Sequence, residues 1–312
     1  VFAVPGELLA IVRQTPADRY RKRRLEPLAG VETVHEIRIE HTGGLIRFVR
    51  EGESWQGLAP ERFAAASSRI GGVLLPLLQQ LTVQEFVDPA AVGSGALGLD
   101  PPAVRVQALG PDGREAMDLS IGAAADGDAF YARLAGRPGV FTVGKLYAQF
   151  LSQPWYTHRQ RQIAFFDLQD ARKLIVWRDG TKYGYQRTVG DAWQMTDPQT
   201  VPADALALYK GPLSHKGLGD LRALAWVGTV ADGLDKFGLD PAPMRVVVEF
   251  ALPMAQGSRR ILTRDFEVGA PMTFGKTQAR YARLRGEDLV FLIDEAVVQL
   301  LLKDYSDPGA LD

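Results

Sequence analysis

The stretch Gly98-Leu99-Asp100-Pro101-Pro102-Ala103-Val104-Arg105-Val106 recurs further along the chain as Gly238-Leu239-Asp240-Pro241-Ala242-Pro243-Met244-Arg245-Val246. In both copies a glycine supplies a turn, and the aspartate that precedes proline is pushed out of the helical region into an extended conformation. An apolar strand is predicted to follow the turn in each copy. Such a long-period recurrence predicts that the chain contains two copies of one structural unit.

Shorter matches flank this turn in the same order. Trp55 corresponds to Trp193, and Tyr131-Ala132-Arg133-Leu134 is identical to Tyr281-Ala282-Arg283-Leu284. A Val-Phe strand closes each copy, and Val1-Phe2-Ala3-Val4 resembles the end of a third, truncated copy. The predicted segments are 1–28, the closing strand, helix and basic connector of a preceding unit, then 29–165 as repeat unit 1 and 166–312 as repeat unit 2.

Each unit is predicted to begin with a β-hairpin, because alternating apolar and polar residues flank the turns at Thr42-Gly43-Gly44 and Arg178-Asp179-Gly180. Helical spacing of apolar residues then predicts a packing helix over 63–81 in the first unit and 221–234 in the second. Four short strands with Gly and Asp turns follow as an antiparallel meander. The predicted fold class is α+β, a tandem repeat of two similar units, each an antiparallel hairpin and meander sheet with packed helices.

The composition is that of an ordinary globular protein, with 312 residues, 46% hydrophobic, 23% charged and a net charge of −1. A charge so close to zero argues against a polyanion-binding surface, so no nucleic-acid partner is expected. The absence of cysteine excludes disulfides, thiolate catalysis and cysteine-ligated zinc. No stretch reaches the roughly 18 consecutive apolar residues of a membrane-spanning helix.

Two glycine-rich stretches resemble nucleotide-binding motifs without the necessary context. Gly93-Ser94-Gly95-Ala96-Leu97-Gly98 fits the dinucleotide pattern G-x-G-x-x-G, but the proline-containing turn that follows opens no helix for a pyrophosphate. The stretch from Gly269 to Thr277 is one residue too long for a P-loop and leads into a predicted strand. No cofactor is therefore expected.

The ionisable side chains form no recognisable catalytic or metal-binding pattern. The histidines lack zinc-site spacing, and no Ser-His-acid set can be assembled. Asp126-Gly127-Asp128 offers two acids of a calcium loop without the remaining ligands. The sequence predicts no catalytic residue, no metal ligand and no small-molecule substrate.

A basic run before the first hairpin and two equivalent tryptophans are the candidates for interaction. A basic run can contact phosphate or anionic lipid, although it is more commonly a solvated connector. A repeated tryptophan can stack on a ligand, although beside a helix it is more commonly packed in the core. The candidate interaction residues are Arg21, Arg23, Arg24, Arg159, Arg161, Trp55 and Trp193.

The order of these motifs is distinctive: a basic run before an alternating strand, a hairpin ending in Trp, an amphipathic helix, the Gly-Leu-Asp-Pro turn, and Tyr-Ala-Arg-Leu followed by Val-Phe. In this order the chain resembles the bacterial domain-of-unknown-function 4340 family, twice over. The resemblance implies a non-catalytic domain outside the cytoplasmic membrane. Such domains are held by an N-terminal membrane helix and are auxiliary to an ABC-type transport system related to gliding motility.

The expected function is that of an extracytoplasmic interaction or scaffold domain, an accessory part of a membrane transport or motility-related ABC system. The expected partner is a protein in a membrane complex. The expected location is periplasmic, with a tether to the inner membrane through a segment encoded before Val1. The alternative is a carbohydrate-active or other hydrolytic enzyme with a cleft between the two units, using carboxylates such as Asp294 or Glu295. Converging acids with perturbed pKa values favour the enzyme, whereas an exposed apolar or sheet-edge surface favours the binding domain.

Overall fold

The computed structural model describes residues 24–25, 34–254 and 258–306. The strand predicted at 1–4, the helix predicted after it, and Arg21 and Arg23 lie outside the described residues. The chain divides into two compact units, with the boundary between Gln160 and Arg161.

Unit 1 is built on antiparallel strands in which apolar side chains alternate with polar ones. The strands are β1 (Arg24–Leu25), β2 (Glu36–His41), β3 (Gly44–Glu51), β4 (Ser54–Ala59), β5 (Phe63–Ala64), β6 (Leu81–Thr82), β7 (Phe86–Val87), β8 (Val104–Leu109), β9 (Glu115–Ala124), β10 (Ala129–Leu134) and β11 (Val140–Gly144). Nine of them form one sheet in the order β5-β4-β3-β2-β8-β9-β10-β11-β7, while β1 pairs with β6.

Unit 2 contains a second set of antiparallel strands. They are β12 (Gln162–Phe165), β13 (Ala171–Arg178), β14 (Thr181–Arg187), β15 (Trp193–Asp197), β16 (Val201–Pro202), β17 (Asp220–Arg222), β18 (Ala225–Thr229), β19 (Met244–Pro253), β20 (Arg259–Phe274), β21 (Thr277–Leu284) and β22 (Leu289–Asp294). The nine-stranded sheet has the order β16-β15-β14-β13-β19-β20-β21-β22-β18, and β12 pairs with β17. Position by position, this order matches that of unit 1.

The hairpins and meanders predicted from sequence are present. The two hairpins are β2–β3 and β13–β14, and the predicted meanders are β8 to β11 and β19 to β22. In unit 2 the meander is longer, because β19 and β20 stay paired from Met244 to Pro253.

The predicted α+β class with packed helices is wrong, because strands make up 49% of the chain and helices only 20%. The fold is mostly β. Its helices are short: α1 (Ser67–Arg69), α2 (Leu75–Gln79), α3 (Pro89–Val92), α4 (Lys145–Leu151), α5 (Ala205–Lys210) and α6 (Glu295–Leu301). A π-helical stretch at Ile70–Leu74 joins α1 to α2.

Helical spacing of apolar residues predicts a helix in two places where the chain forms strands. The helix predicted over 221–234 is instead β17, β18 and a short 3-10 turn. In β18 the buried Trp226 and Gly228 alternate with more exposed neighbours, which is the period of a strand. Pairing with β22 satisfies the backbone groups on one edge of β18. In unit 1 the helical stretch is shorter than predicted, because its ends at Phe63 and Leu81 are strands.

The repeated Gly-Leu-Asp-Pro turn packs directly on the sheet beside it. Gly98 and Gly238 both have left-handed backbone, with φ of 59° and 63°. A Cβ on Gly122 of β9 would lie 2.1 Å from the carbonyl oxygen of Leu97, and one on Gly269 of β20 would lie 2.3 Å from that of Phe237. Only glycine therefore fits on both sides of this contact.

The core of unit 1 lies between one face of its sheet and the helical segments. Leu74 and Leu78 from the helical stretch and Leu151 from α4 are fully buried with Ile37 and Phe48 from the sheet. Burial of large aliphatic and aromatic side chains of this kind contributes about 1.5 to 3 kcal/mol each. The same sheet face therefore positions α4, which is followed by the 3-10 turn Trp155–His158 that contains the buried histidine described below.

Candidate interaction site

An open groove lies on unit 1 where the sheet ends at β7. The amide of Gln84 donates to the carbonyl of Thr142 on β11 at 2.9 Å, and the amide of Thr142 donates to the carbonyl of Glu85 at 2.8 Å. The amide of Glu85 also donates to the Thr142 hydroxyl at 3.2 Å. These bonds extend the pairing of β7 with β11 and fix the backbone of the segment that precedes β7.

Asp88 ends this segment and begins α3. Its carboxylate accepts a hydrogen bond from the amide of Ala90 at 3.0 Å, as an N-cap does. Pro89 follows at the first helical position, where its missing N–H costs nothing. The chain therefore turns sharply after β7, which places Val92 of α3 beside the groove.

We call this hollow the β7 groove; its volume is about 420 Å³. One side is formed by the β7 segment and α3, and the other by the β9–β10 turn and by β10, with β11 between them in the sheet. It is lined by Gln84, Glu85, Phe86, Val87, Asp88, Val92, Ala125, Asp126, Ala129, Tyr131 and Thr142. The groove lining thus combines apolar and aromatic residues with polar ones.

The charge of the β7 groove has one sign. Glu85 and Asp88 contribute carboxylates from the β7 side and Asp126 contributes one from the β9–β10 turn, while the lining contains no lysine, arginine or histidine. All three carboxylates are exposed. The next acid, Asp128, is already paired with Lys145 at 2.5 Å. The groove therefore presents negative charge to solvent beside aromatic surface.

Unit 2 carries an aromatic ring at the corresponding place. Phe237 precedes Gly238 as Leu97 precedes Gly98, and its ring packs on Tyr281 with centroids 5.1 Å apart. The same ring lies so close to β18 that a Cβ on Gly228 would be 2.8 Å from it. In unit 1 the smaller Leu97 packs with Leu99 and Val140 instead.

The interaction candidates predicted from sequence lie elsewhere. Arg21 and Arg23 are outside the described residues, and Arg24 belongs to β1. Trp55 and Trp193 are each 3% exposed, which favours the core interpretation over stacking on a ligand. The indole N–H of Trp193 donates to the Tyr209 hydroxyl at 2.8 Å.

The two remaining candidates lie beside the unit boundary. The backbone of Arg159 forms a bridge with Ala65, and its guanidinium lies 4.0 Å from the Glu61 carboxylate. The side chain of Arg161 is exposed, and its carbonyl accepts from the amide of Ala223 at 2.8 Å. Neither arginine lines the β7 groove.

A second hollow, on unit 2, has a volume of about 570 Å³. It is lined by Asp167, Leu168, Gln169, Arg187, Tyr209 and His215. Its Tyr209 hydroxyl already accepts from Trp193. The Arg187 guanidinium donates to the carbonyl of Gln169 and lies 3.1 Å from Asp191. Since these polar groups already bind each other within unit 2, this hollow has fewer polar groups available to a ligand than the β7 groove has.

The carboxylates named for a hydrolase have structural roles. Asp294 caps α6 by accepting from the amide of Ala296 at 2.8 Å. Glu295 accepts from Arg280 at 2.8 Å. Burial raises the pKa of Glu295, but hydrogen bonds from Arg280 and Gln299 outweigh it and leave the pKa below its ordinary value. A general acid at neutral pH needs the opposite shift.

The two glycine-rich stretches are turns. Ser94–Leu97 forms a 3-10 turn between Gly93 and the left-handed Gly98. The stretch from Gly269 to Thr277 is the β20–β21 hairpin, in which Phe274 pairs with Thr277 across Gly275. Gly93, Gly98 and Gly275 therefore have local structural roles, since all three have positive φ.

Unit 1 also buries an imidazole with an unpaired nitrogen. His158 has no exposed surface, and its Nδ1 accepts from the Arg69 Nε–H at 3.2 Å. Its Nε2 has no hydrogen-bond partner among the described residues. The imidazole ring makes T-shaped contacts with the rings of Phe48 and Phe150. Burial, with smaller effects of Arg69 and His41, lowers the pKa of His158 to about 3. His158 is therefore neutral at physiological pH.

In the described ranges, no three His, Asp or Glu side chains are grouped closely enough to hold a metal ion. The helices that the structure describes are also too short or too polar to span a bilayer.

A family model described as a domain of unknown function (DUF4340) matches residues 78–233, half of the chain. The matched region crosses the boundary between Gln160 and Arg161. No curated protein and no solved structure matches the chain.

Proposed function

Because the chain belongs to the DUF4340 family, a domain of unknown function, we propose that it is a non-catalytic module that binds a protein partner in a membrane complex. We extend the proposal to the setting that the sequence resemblance implies. In that setting the chain is an extracytoplasmic accessory part of an ABC-type transport or motility-related system, tethered to the inner membrane.

The observation that carries the proposal is the β7 groove. It joins aromatic and apolar surface to carboxylates of one sign, and these carboxylates are exposed. Complementary charge at a surface steers a partner and selects against wrong ones. By contrast, the acids named for hydrolysis are engaged in capping and in an ion pair.

We also propose that the two units are tandem copies of one domain. The identical strand order of the two nine-stranded sheets supports this. The left-handed glycine at the same point of each sheet supports it as well.

Co-purification tests the proposed partner. The full natural protein, tagged and expressed at its native level, would be cross-linked in intact cells and isolated from detergent-solubilised membranes. We expect a transporter subunit to be recovered with it in comparable amount. Recovery of the protein alone, or glycoside hydrolysis abolished by Glu295→Gln, would contradict the proposal.

The proposed location has a separate test, which the absence of cysteine makes simple. Glu53→Cys places one thiol on an exposed turn between β3 and β4. We expect a membrane-impermeant maleimide to label this variant in intact spheroplasts. Labelling only after lysis would place the chain on the cytoplasmic side.

A further inference from the structure

We infer that the β7 groove binds lysine or arginine side chains on an extended segment of the partner protein. The inference rests on the proposed function, because it names the chemistry of the partner that the module binds.

The charge of the β7 groove favours a basic partner. Carboxylates stand on both sides of the groove, with Glu85 and Asp88 on one side and Asp126 on the other, and no basic side chain lies between them. A cation that enters the groove is attracted from both sides. An acidic side chain there meets like charge, which disfavours acidic partners.

The aromatic lining of the groove also favours basic side chains. Tyr131 and Phe86 offer aromatic surface next to the carboxylates, and a guanidinium or ammonium is attracted to the face of such a ring. The molecule uses this contact internally, since the guanidinium carbon of Arg69 lies 4.7 Å from the ring centre of Phe150 and that of Arg178 lies 4.3 Å from Tyr183. Long basic side chains can also place their methylene stems on the apolar lining.

The size and shape of the groove suit a short extended segment. A volume of about 420 Å³ is near the lower end of small-molecule sites, which range from about 300 to 1,000 Å³. This is enough for a few side chains of a bound segment. The groove follows the extended β7 segment at the end of the sheet, where an extended peptide can present alternate side chains to one surface.

Unit 2 differs here, because its Phe237 packs against Tyr281, which corresponds to the groove residue Tyr131. In unit 2 an aromatic ring of the chain itself thus contacts the tyrosine whose counterpart lines the groove in unit 1.

The test uses two synthetic probes, a short peptide in which lysine alternates with threonine and a matched peptide with glutamate in place of lysine. Binding to the intact chain is followed by calorimetry and by amide NMR shifts. We expect the lysine peptide alone to bind, with shifts at Val87, Ala129 and Tyr131, and the affinity to fall as salt increases.

Three exposed acids provide variants and a control. Glu85→Lys and Asp126→Lys each replace attraction by repulsion within the groove, so each should weaken binding about tenfold. Glu53→Lys makes the same charge change on the β3–β4 turn and should leave binding unchanged. Thermal melting of all three checks that they remain folded, as exposed positions should.

The inference is overturned if Glu53→Lys weakens binding as much as the groove variants, since the attraction is then nonspecific. It is also overturned if spermidine competes as well as the peptide, because the ligand is then a small polycation. Binding that appears only after Arg19, Arg21, Lys22 and Arg23 are replaced by glutamine would assign the groove to the chain's own basic run. If Glu85→Lys still co-purifies with the membrane partner, the inference fails while the proposed function stands.

Discussion

Units 1 and 2 share a strand order but stabilise the end of their last helix differently. In unit 2, Arg178 at the end of β13 donates to the carbonyls of Leu301 and Lys303 at 3.2 and 3.3 Å, where α6 ends. The corresponding residue of unit 1, at the end of β2, is His41. Burial lowers the pKa of His41, although the backbone of Gln153 opposes this. A permanent cation therefore meets one helix end, and a neutral imidazole lies at the other.

A second pair of equivalent residues, Tyr185 on β14 and Phe48 on β3, also differs between the two units. In unit 2 the Tyr185 hydroxyl accepts from the amide of Tyr305 at 3.1 Å, and burial raises the pKa of Tyr185 to about 12. In unit 1, Phe48 packs on His158 with centroids 5.4 Å apart. At these places unit 2 therefore has an arginine and a tyrosine, which keep one protonation state across physiological pH. Unit 1 has two histidines, His41 and His158. The difference predicts that only unit 1 is sensitive to mild acid.

The largest expected effect is acid destabilisation of unit 1. His158 has a folded pKa of about 3, against about 6.5 for an unfolded histidine. The unfolded state therefore binds the extra proton. This stability is fully present above pH 6.5 and is lost progressively as the pH falls towards 3. We expect about 2 kcal/mol to be lost between pH 7 and pH 5.

Urea unfolding of the intact chain at both pH values measures this loss, and hydrogen exchange assigns it to a unit. His158→Phe should remove most of this pH dependence, with the remainder left to His41, even though it destabilises unit 1 at every pH. His215→Gln, at an exposed histidine of unit 2, should leave it unchanged. An equal loss of protection in both units would break the comparison.

The next effect concerns the helix ends. Arg178→Met removes a guanidinium that is 9% exposed and leaves two helix carbonyls without their donor. We expect a loss of about 1 to 2 kcal/mol in the free energy of unfolding of unit 2. His41→Ala should cost less than about 1 kcal/mol at pH 7, because the imidazole is neutral and the hydrogen bond it accepts from the Gly43 amide is exposed. Equal losses from chemical denaturation would show that the two helix ends need the same support.

A smaller effect separates the two tryptophans, which are equally buried. Trp193→Phe leaves the Tyr209 hydroxyl without its indole donor. The bond of Trp55 to Ser67 comes from its backbone amide and survives Trp55→Phe. Trp193→Phe should therefore cost about 1 kcal/mol more. Denaturation midpoints of the two variants measure the difference, and identical midpoints would contradict it.

The smallest effect concerns two equivalent ion pairs on the sheet surfaces. Arg105 with Asp118, and Arg245 with Asp265, each have N–O distances of 2.7 Å. Arg245 also lies over the ring of Trp177, 4.5 Å from its centre. Arg105→Gln should cost about 0.5 kcal/mol, and Arg245→Gln about 0.5 kcal/mol more. In a chain with Trp177→Leu, the two substitutions should lower the free energy of unfolding by equal amounts, as chemical denaturation would show.

Local pattern was enough to predict the strands of the hairpins and of the meanders. Val104 to Leu109 alternates apolar and polar residues between two turns, and it forms β8 with those limits. Helical spacing misled at 221–234, because β18 gains its backbone partners from β22, far away in sequence. Periodicity within a short window does not contain that pairing.

The β7 groove could not be predicted in the same way. Its lining comes from separate stretches that only the order of the sheet brings together, from the β7 segment to Thr142. The sole local signal was Asp126-Gly127-Asp128, which suggested a weak calcium loop. The partnership of His158 with Arg69 is equally non-local, so sequence reasoning could assign His158 no role.

The close contact between the Gly-Leu-Asp-Pro turn and the neighbouring strand has a consequence for tracing distant relatives. It joins backbone to backbone at Gly98 and Gly122, and again at Gly238 and Gly269. Divergence can therefore exchange the surrounding side chains freely while leaving these glycine pairs unable to change. A search pattern anchored on the paired glycines, with unrestricted residues between them, should find remote members that overall identity no longer detects.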